Sequence, residues 1–563
     1  MNDGLVLRAD VFRPEGDDAY PVVLAYGPYA KGLTFQEGYA DAWRAMVESH
    51  SDVESGSSNR YQAWEVCDPE KWVPEGYVCV RVDARGWGRS PGYIEPWSPR
   101  EAQDQYDCIE WAGAQPWSNG KVGLLGISYY AINQWHVASL QPPSLAAMIP
   151  WEGFADFYRD LSYHGGIASD MKNVWYRRTI TTVQHGLGER AAMNPNTGEL
   201  VAGPETLTDE ELEANRSDFP GDIDAHPLED TFHRERSAVF DRITVPFLSS
   251  GNWGGSSLHL RGNVEAFVRA ASQQKWLEIH GLEHWTEFYT NYGVRLQKRF
   301  FDHFLKGVDN GWDAQPRVML RVRTVDGSFI DRTEDEWPIA RTRWTRLHLD
   351  PSAGTLSDEP TTTPSQASFE ALEDGVTMST PPLEEEIEIT GPVSAKLFVS
   401  SNTSDADLFL VLRVFDPDGD EVVLQGAVDP HTPIGHGWLR ASQRKLDPVL
   451  SAPHRPYHSH DEVQPLTAGE IYELDIEIWP TSIVVPRGYR VALTVRGRDY
   501  EYGGNENEVE LGHFKGSKLS GVGIYTHADP RHRPTDVYGG LTTLHAGSVH
   551  PAFLLLPLIP PQR

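Results

Sequence analysis

A serine hydroxyl becomes a useful nucleophile only where the backbone presents it beside a base and a pair of hydrogen-bond donors. The stretch Lys121-Val-Gly-Leu-Leu-Gly-Ile-Ser-Tyr-Tyr130 has that potential. Residues 122–125 read as a short buried strand, Gly126-Ile127-Ser128 as a sharp turn, and residues 130–140 as a helix closed by Pro142-Pro143. A strand, a turn carrying serine and then a helix is the layout of a nucleophile elbow. The helix would aim its first N–H groups, that of Tyr129 among them, at an oxyanion formed on Ser128. The usual G-x-S-x-G pattern ends here in Tyr130, and a serine before a helix is equally a plain N-cap. The other elements decide between these readings.

In such a fold the base lies on the loop after the last strand, and the order along the chain is serine, acid, histidine. His284 follows the apolar strand 276–280 and stands in that place. A second oxyanion donor would come from Gly27-Pro28-Tyr29-Ala-Lys-Gly32, the loop after the strand at 21–26. The phenol of Tyr29 is the candidate there. Taken alone, a tyrosine after Pro28 reads more plainly as packing.

These positions need a scaffold, and the chain supplies one. Apolar runs at 21–26, 77–83, 122–125, 145–150, 245–250 and 276–280 alternate with helical patterns at 101–114, 130–140 and 291–306. That alternation predicts a mostly parallel sheet, with ligands at the C-terminal strand ends. Residues 5–12 alternate apolar and polar and read as an antiparallel edge strand, and residues 36–60 as a polar loop. Between 154 and 241 the alternation stops, which marks an insertion, mainly helical, over the sheet edge. The fold class is therefore α/β, with residues 1–153 and 242–310 as the sheet domain and 154–241 as its cap. Residues 311–563 change to period-two strands, among them 318–322, 395–399, 408–415, 472–478 and 490–495, the pattern of an antiparallel β-sandwich.

The 563 residues carry a formal net charge of −32, which argues against nucleic acid and anionic membranes as partners. Three cysteines, Cys67, Cys79 and Cys108, have no metal-type spacing and read as reduced thiols. No apolar run reaches transmembrane length and the first residues lack a signal-like core, so a cytoplasmic protein is expected.

Several stretches resemble the cocaine esterase / X-Pro dipeptidyl-peptidase hydrolases, the CocE/NonD family. They are Leu7-Arg-Ala-Asp-Val-Phe-Arg-Pro14, Gly27-Pro-Tyr-Ala-Lys31, Asp83-Ala-Arg-Gly-Trp-Gly-Arg-Ser90, and Gln115-Pro-Trp-Ser-Asn-Gly-Lys-Val-Gly123 running into Gly126-Ile-Ser-Tyr129. Further on, Gly437-Trp-Leu-Arg-Ala-Ser-Gln-Arg444 and Ile476-Glu-Ile-Trp-Pro-Thr481 resemble the family's jelly-roll domain. The resemblance implies an α/β-hydrolase domain with a helical cap and a C-terminal jelly roll. It implies Ser128 as nucleophile, His284 as base, and Tyr29 with the Tyr129 N–H as the oxyanion hole.

One departure concerns the acid. Where relatives place an aspartate after the strand at 245–250, this chain has Gly251-Asn252-Trp253-Gly254, with Gly254 at the aspartate position. The site is then acid-less, or Asn252 orients His284, or a carboxylate comes from another strand end. Glu152 is favoured, because it ends the strand after the elbow helix and keeps the order Ser128, Glu152, His284. Asp156 is next in line.

The implied reaction is acyl transfer to water, of esterase or acylase type, with no metal or organic cofactor. Small esters, amides or short peptides are the expected substrates, and X-Pro dipeptidyl-peptidase action is the alternative. A further alternative is a weakened hydrolase scaffold that serves as a binding protein. Tyr130, Trp151, Trp175 and Trp253 are candidates to line the acyl pocket. The jelly roll's apolar faces leave room for a homo-oligomer.

Overall fold

Nine strands form the first sheet of the protein, seen here in a computed structural model that describes residues 1–503, 508–509, 517–518 and 521–561. They are β1 (Arg8–Phe12), β2 (Tyr20–Gly27), β3 (Val78–Asp83), β4 (Ser118–Ile127), β5 (Leu145–Trp151), β6 (Phe247–Asn252), β7 (Lys275–His280), β8 (Val318–Arg323) and β9 (Phe329–Glu334). The spatial order is β1-β3-β2-β4-β5-β6-β7-β8-β9. From β3 to β8 every pairing is parallel, and β1 and β9 close the two edges antiparallel. The inner strands are apolar runs because helices cover both faces of the sheet.

Four helices matter for the site: α1 (Pro99–Gly113), α2 (Tyr129–Ser139), α3 (Leu260–Arg269) and α4 (Asn291–Lys306). Helix α1 starts on Pro99, and its N-cap Ser98 accepts from the N–H of Glu101. Helix α2 is buried along its whole length and starts directly after Ser128.

Two expectations differ from the structure. The stretch 36–60 holds a helix, Ala40–Ser49, whose polar composition conceals it because only Ala42 and Met46 are buried. The strand at 318–322, read as part of the sandwich, instead extends the first sheet as β8, with Val318 beside Leu277 and Leu320 beside Ile279. Its partner β9 turns back at the edge. An antiparallel edge strand and a sandwich strand share the same period-two pattern, so the sheet runs past residue 310 without a break in the pattern. The insertion at 154–241 is made of turns and short helices such as Met171–Trp175, Asp209–Ala214 and Phe219–Asp224.

The C-terminal region is all β. Its strands are β10 (Arg343–Asp350), β11 (Thr355–Ser357), β12 (Ser365–Glu370), β13 (Val376–Ser379), β14 (Ile387–Ser401), β15 (Asp407–Phe415), β16 (Gly435–Arg440), β17 (Tyr472–Val485), β18 (Arg490–Arg496), β19 (Leu541–Ala546) and β20 (Phe553–Leu558). They pair in the order β12-β19-β14-β17-β16-β15-β18-β13-β11-β10-β20, and β14 also pairs with β20, so the sheet closes on itself. Leu474, Ile476 and Ile478 point into its core, as the alternation predicts.

The regions are riveted by buried charge. Arg261 of α3 lies 3.0 Å from Asp160 of the cap and 2.9 Å from Glu477 of β17. The three cysteines are free and buried. Among the described residues no helix is long and apolar enough to cross a membrane.

Candidate active site

Ser128 sits at φ 55°, ψ −116°, a conformation that costs a side-chain-bearing residue roughly 1–3 kcal/mol. The neighbours hold it there. Its N–H donates to the carbonyls of Trp151 and Glu152, each at 3.1 Å, and the N–H of Ile127 donates to the carbonyl of Glu65 at 3.0 Å. Its own carbonyl accepts from Ala131 and Ile132, both at 2.8 Å. Gly126 is required by crowding, because a Cβ there would stand 2.4 Å from Cβ of Tyr130. Glu65 and Glu152 also adopt positive φ, at 61° and 49°. Three strained residues thus meet at one sheet edge, as they do where geometry serves chemistry.

Glu152 leaves the end of β5 and reaches His284, with Oε2 2.7 Å from Nδ1. Its other oxygen, Oε1, is taken by His280 Nε2 at 3.1 Å and by the side-chain amide of Asn252 at 3.2 Å. Asn252 therefore serves the carboxylate and not the imidazole. Asp156 is engaged elsewhere, 2.9 Å from Arg159, which also pairs with Glu229. His280 Nδ1 faces Glu278 at 2.9 Å, and His284 Nε2 faces Glu65 Oε1 at 3.2 Å. The result is an alternating row, Glu278, His280, Glu152, His284, Glu65, all of it buried.

Charge in this row is set by burial against pairing. Burial opposes ionisation of Glu152, but His284 and His280 outweigh it and hold the carboxyl at about 2. Burial likewise opposes a charged His284, yet Glu152 and Glu65 carry it up to about 10. His280 is raised to about 10 in the same way between Glu278 and Glu152. Burial raises Glu65, and its contact with His284 only partly offsets this. At rest a proton therefore stays on the His284–Glu65 contact.

The hydrogen bond of Ser128 Oγ goes to a different histidine, His259 Nε2, at 3.2 Å. His284 does not bond the serine in this geometry, because its Nε2 is engaged by Glu65, a stronger acceptor than a hydroxyl. The two imidazoles stack, with centroids 5.3 Å apart and planes 13° from parallel. His259 precedes α3, and a signal for it lay in the histidine at a helix start just after the strand that lacks its aspartate. His280 and Glu65 carried no local signal.

Tyr29, Ser128, Tyr129, Trp175, His259 and His284 line one cavity of about 50 Å³, with Glu65 at its wall. The N–H of Tyr129 opens α2, where no intrahelical acceptor exists, so it is disposed to face an oxyanion. The phenol of Tyr129 is spent on Glu101, 2.7 Å away. Three of the four aromatic pocket candidates are core instead. The Tyr130 ring fills the space above Gly27, Trp151 packs at a tilt against His280 with ring centroids 5.0 Å apart, and Trp253 donates to the Arg321 carbonyl at 2.7 Å. Only Trp175 of that set lines the cavity. Walls missed by sequence include Trp97, Phe154, Leu258, Ile524 and Tyr525.

Gly254 has a physical reason. A Cβ at that position would lie 2.3 Å from Cα of Gly426, on a loop of the β domain. That loop bonds back through Ala427, whose carbonyl accepts from the N–H of His284 at 2.9 Å. The space of the usual aspartate is filled by backbone.

Comparison with known proteins identifies the family. Residues 3–286 match the X-Pro dipeptidyl-peptidase (S15 family) model, and residues 310–549 match the X-Pro dipeptidyl-peptidase C-terminal non-catalytic domain. The cocaine esterase of Rhodococcus sp. (strain MB1 Bresler) is 26% identical across 99% of this chain and 97% of its own length. The crystal structure of a CocE/NonD family hydrolase from Staphylococcus aureus superposes with a TM-score of 0.84 at 30% identity, covering 99% of this chain and 92% of that one. An aminopeptidase from a marine sediment archaeon (Thaumarchaeota archaeon) shares the fold, with a TM-score of 0.67 at 17% identity over 100% and 95% of the two chains. With an elbow serine, an imidazole–carboxylate pair and both matched domains in one chain, the protein is a serine hydrolase of the X-Pro dipeptidyl-peptidase (S15) family and belongs with the CocE/NonD hydrolases.

Proposed function

We propose that this enzyme hydrolyses small esters or amides through an acyl-enzyme on Ser128, with His284 as base and Glu152 as the acid that orients it. Once its Nε2 proton has been released to solvent, His284 turns from Glu65 to the serine and takes the Oγ proton as Oγ attacks the carbonyl. Glu152 steadies the imidazolium, and the Tyr129 N–H with the Tyr29 phenol holds the oxyanion. His284 then protonates the leaving group, and a water repeats the cycle in reverse. The observation that carries this reading is the 2.7 Å contact of Glu152 with His284 in the cavity that holds Ser128.

The cavity favours short acyl groups. About 50 Å³ between apolar walls such as Ile132, Met171 and Leu258 admits an acetyl group more readily than a dipeptide. The dipeptidyl-peptidase reading has one observation on its side, since Glu65 is a buried carboxylate on the cavity wall and would suit a substrate α-amino group. Turnover of p-nitrophenyl acetate, p-nitrophenyl butyrate and Gly-Pro-p-nitroanilide separates the two. The esterase reading expects acetate to lead in kcat/KM. A lead for the anilide by tenfold or more would replace it with peptidase action.

A further inference from the structure

The site holds a second histidine that the family reading does not use, and its surroundings fix what it can do. His259 Nδ1 lies 3.2 Å from the N–H of Phe154. A backbone N–H can only donate, so Nδ1 accepts and the ring proton of a neutral His259 resides on Nε2. That nitrogen is the one 3.2 Å from Ser128 Oγ. The ring is buried and lies against the charged His284 imidazole, and burial first and that charge second hold its pKa well below the ordinary histidine value, so it is neutral.

The placement is built and not incidental. Gly262, one turn on in α3, packs so closely that a Cβ would lie 2.3 Å from the N atom of Ala155. Asn263 accepts from the N–H of Gly153 at 3.1 Å and donates to the carbonyl of Pro150 at 3.2 Å. Arg261 grips Asp160. The first turn of α3 is thereby clamped onto residues 150–160, the segment that carries Glu152 and the N–H of Phe154. Phe154 also lies parallel to the imidazole, 11° between planes.

We propose that His259 is a further catalytic residue, a fixed hydrogen-bond donor to Ser128 Oγ that stabilises negative charge on that oxygen. This role rests on Ser128 being the nucleophile and His284 the base. No proton is transferred by His259. Its N–H supports Oγ as the serine proton moves to His284 and the bond to the carbonyl carbon forms. It supports Oγ again as that bond breaks in deacylation and the proton returns. With His259 donating, the serine's own proton is left to point at His284, so each imidazole has one task.

The test measures kcat, KM and the pH profile for p-nitrophenyl acetate, and the labelling rate with a fluorophosphonate probe. The proteins are wild type, Ser128→Ala, His284→Phe, His259→Phe, His259→Gln and His259→Asn. Removing one donor to a developing oxyanion costs roughly 100-fold in kcat. His259→Phe is therefore expected to lose about 10- to 100-fold in kcat and in labelling rate, with KM little changed and the pH limb unmoved. Gln places an amide N–H near the position of Nε2 and Asn does not, so Gln is expected to recover about tenfold over Asn. That comparison stands even if the Phe variant fails to fold. Wild-type rates in His259→Phe, or Asn equal to Gln, would overturn the proposal. A His259→Phe enzyme that falls to the Ser128→Ala floor and loses the pH limb, while His284→Phe keeps it, would make His259 the base. A wild type inert to both ester and probe would remove the hydrolase reading itself, and this role with it.

Discussion

Among the described residues, two rows of acid and imidazole run through the interior, and the first of them ends at a cavity. The first runs from Glu278 through His280, Glu152 and His284 to Glu65, beside Ser128. The second joins Asp499 to His527 at 2.8 Å, His527 to His164 at 2.8 Å, and His164 to the backbone carbonyl of Asp160 at 3.2 Å. Both are desolvated, and both bind parts of the chain far apart in sequence. The second ends on groups already engaged, since Asp499 also accepts from the N–H of His527 and the far end is a carbonyl that cannot titrate. Burial pushes His164 down to about 3, so it stays neutral and serves as a strut. The first row keeps a proton near its end, between His284 and Glu65, next to Ser128 and an apolar cavity. Perturbed histidines alone do not mark a site; an open terminus facing a reactive group does.

That contrast can be broken at its strongest point by replacing one imidazole from each row. His284→Phe should lower kcat for p-nitrophenyl acetate by roughly 10³- to 10⁴-fold, as loss of a general base does. His164→Phe should leave kcat within about threefold and lower the melting temperature by a few degrees, the effect of roughly 1–2 kcal/mol. Steady-state kinetics and thermal denaturation of the two variants check this. Equal losses of activity would erase the distinction between the rows.

Glu65 sharpens the comparison with a smaller effect. It closes the open end by holding the Nε2 proton of His284, whose pKa is raised to about 10 once the opposing cost of burial is exceeded. A base works only when unprotonated, so kcat/KM should climb with pH along a limb well above the ordinary histidine value. Glu65→Gln removes one of the two carboxylates, and an opposite charge at this range is worth about one to three pKa units. The limb should move down by about one unit or more, with about a tenfold gain in the active fraction near neutrality. A limb that does not move would show that Glu65 does not govern the proton.

The smallest effect is on stability. Glu152 has its pKa depressed from 4.5 to about 2, so its share of stability is whole above about pH 4.5 and is lost as pH falls through 2. His280 and His284 are raised from 6.5 to about 10, so theirs is whole below about pH 6.5 and is lost as pH rises through 10. The melting-temperature advantage of wild type over Glu152→Gln should therefore be widest between about pH 4.5 and 6.5 and narrow on both sides. An advantage that is flat with pH would mean that the row does not hold these charges.

Much of this was legible in sequence, for local reasons. The elbow announces itself because strand, glycine, serine and helix are contiguous, and His284 because the last histidine loop follows an apolar strand. Gly254 read as a missing acid, and that gap pointed to Glu152. What stayed hidden depends on contacts between distant segments. Glu65 and His280 acquire roles only when residues 65, 152, 280 and 284 meet. The loop at Gly426 that excludes an aspartate belongs to another domain. Trp151 and Trp253 were misplaced as pocket walls because a tryptophan near a strand end points into either layer, and here both point into the core. Strands β8 and β9 passed for sandwich strands because an alternating pattern does not name the sheet it joins.

The most direct measurement is p-nitrophenyl acetate turnover by Glu152→Gln against wild type, with Ser128→Ala as the floor and a melting curve for each. The account predicts a folded Glu152→Gln enzyme whose kcat falls by roughly 10³- to 10⁴-fold, as when a triad acid becomes an amide. A folded Glu152→Gln enzyme with wild-type turnover, beside a dead Ser128→Ala, would contradict it: the nucleophile would stand, and Glu152 would not be its acid.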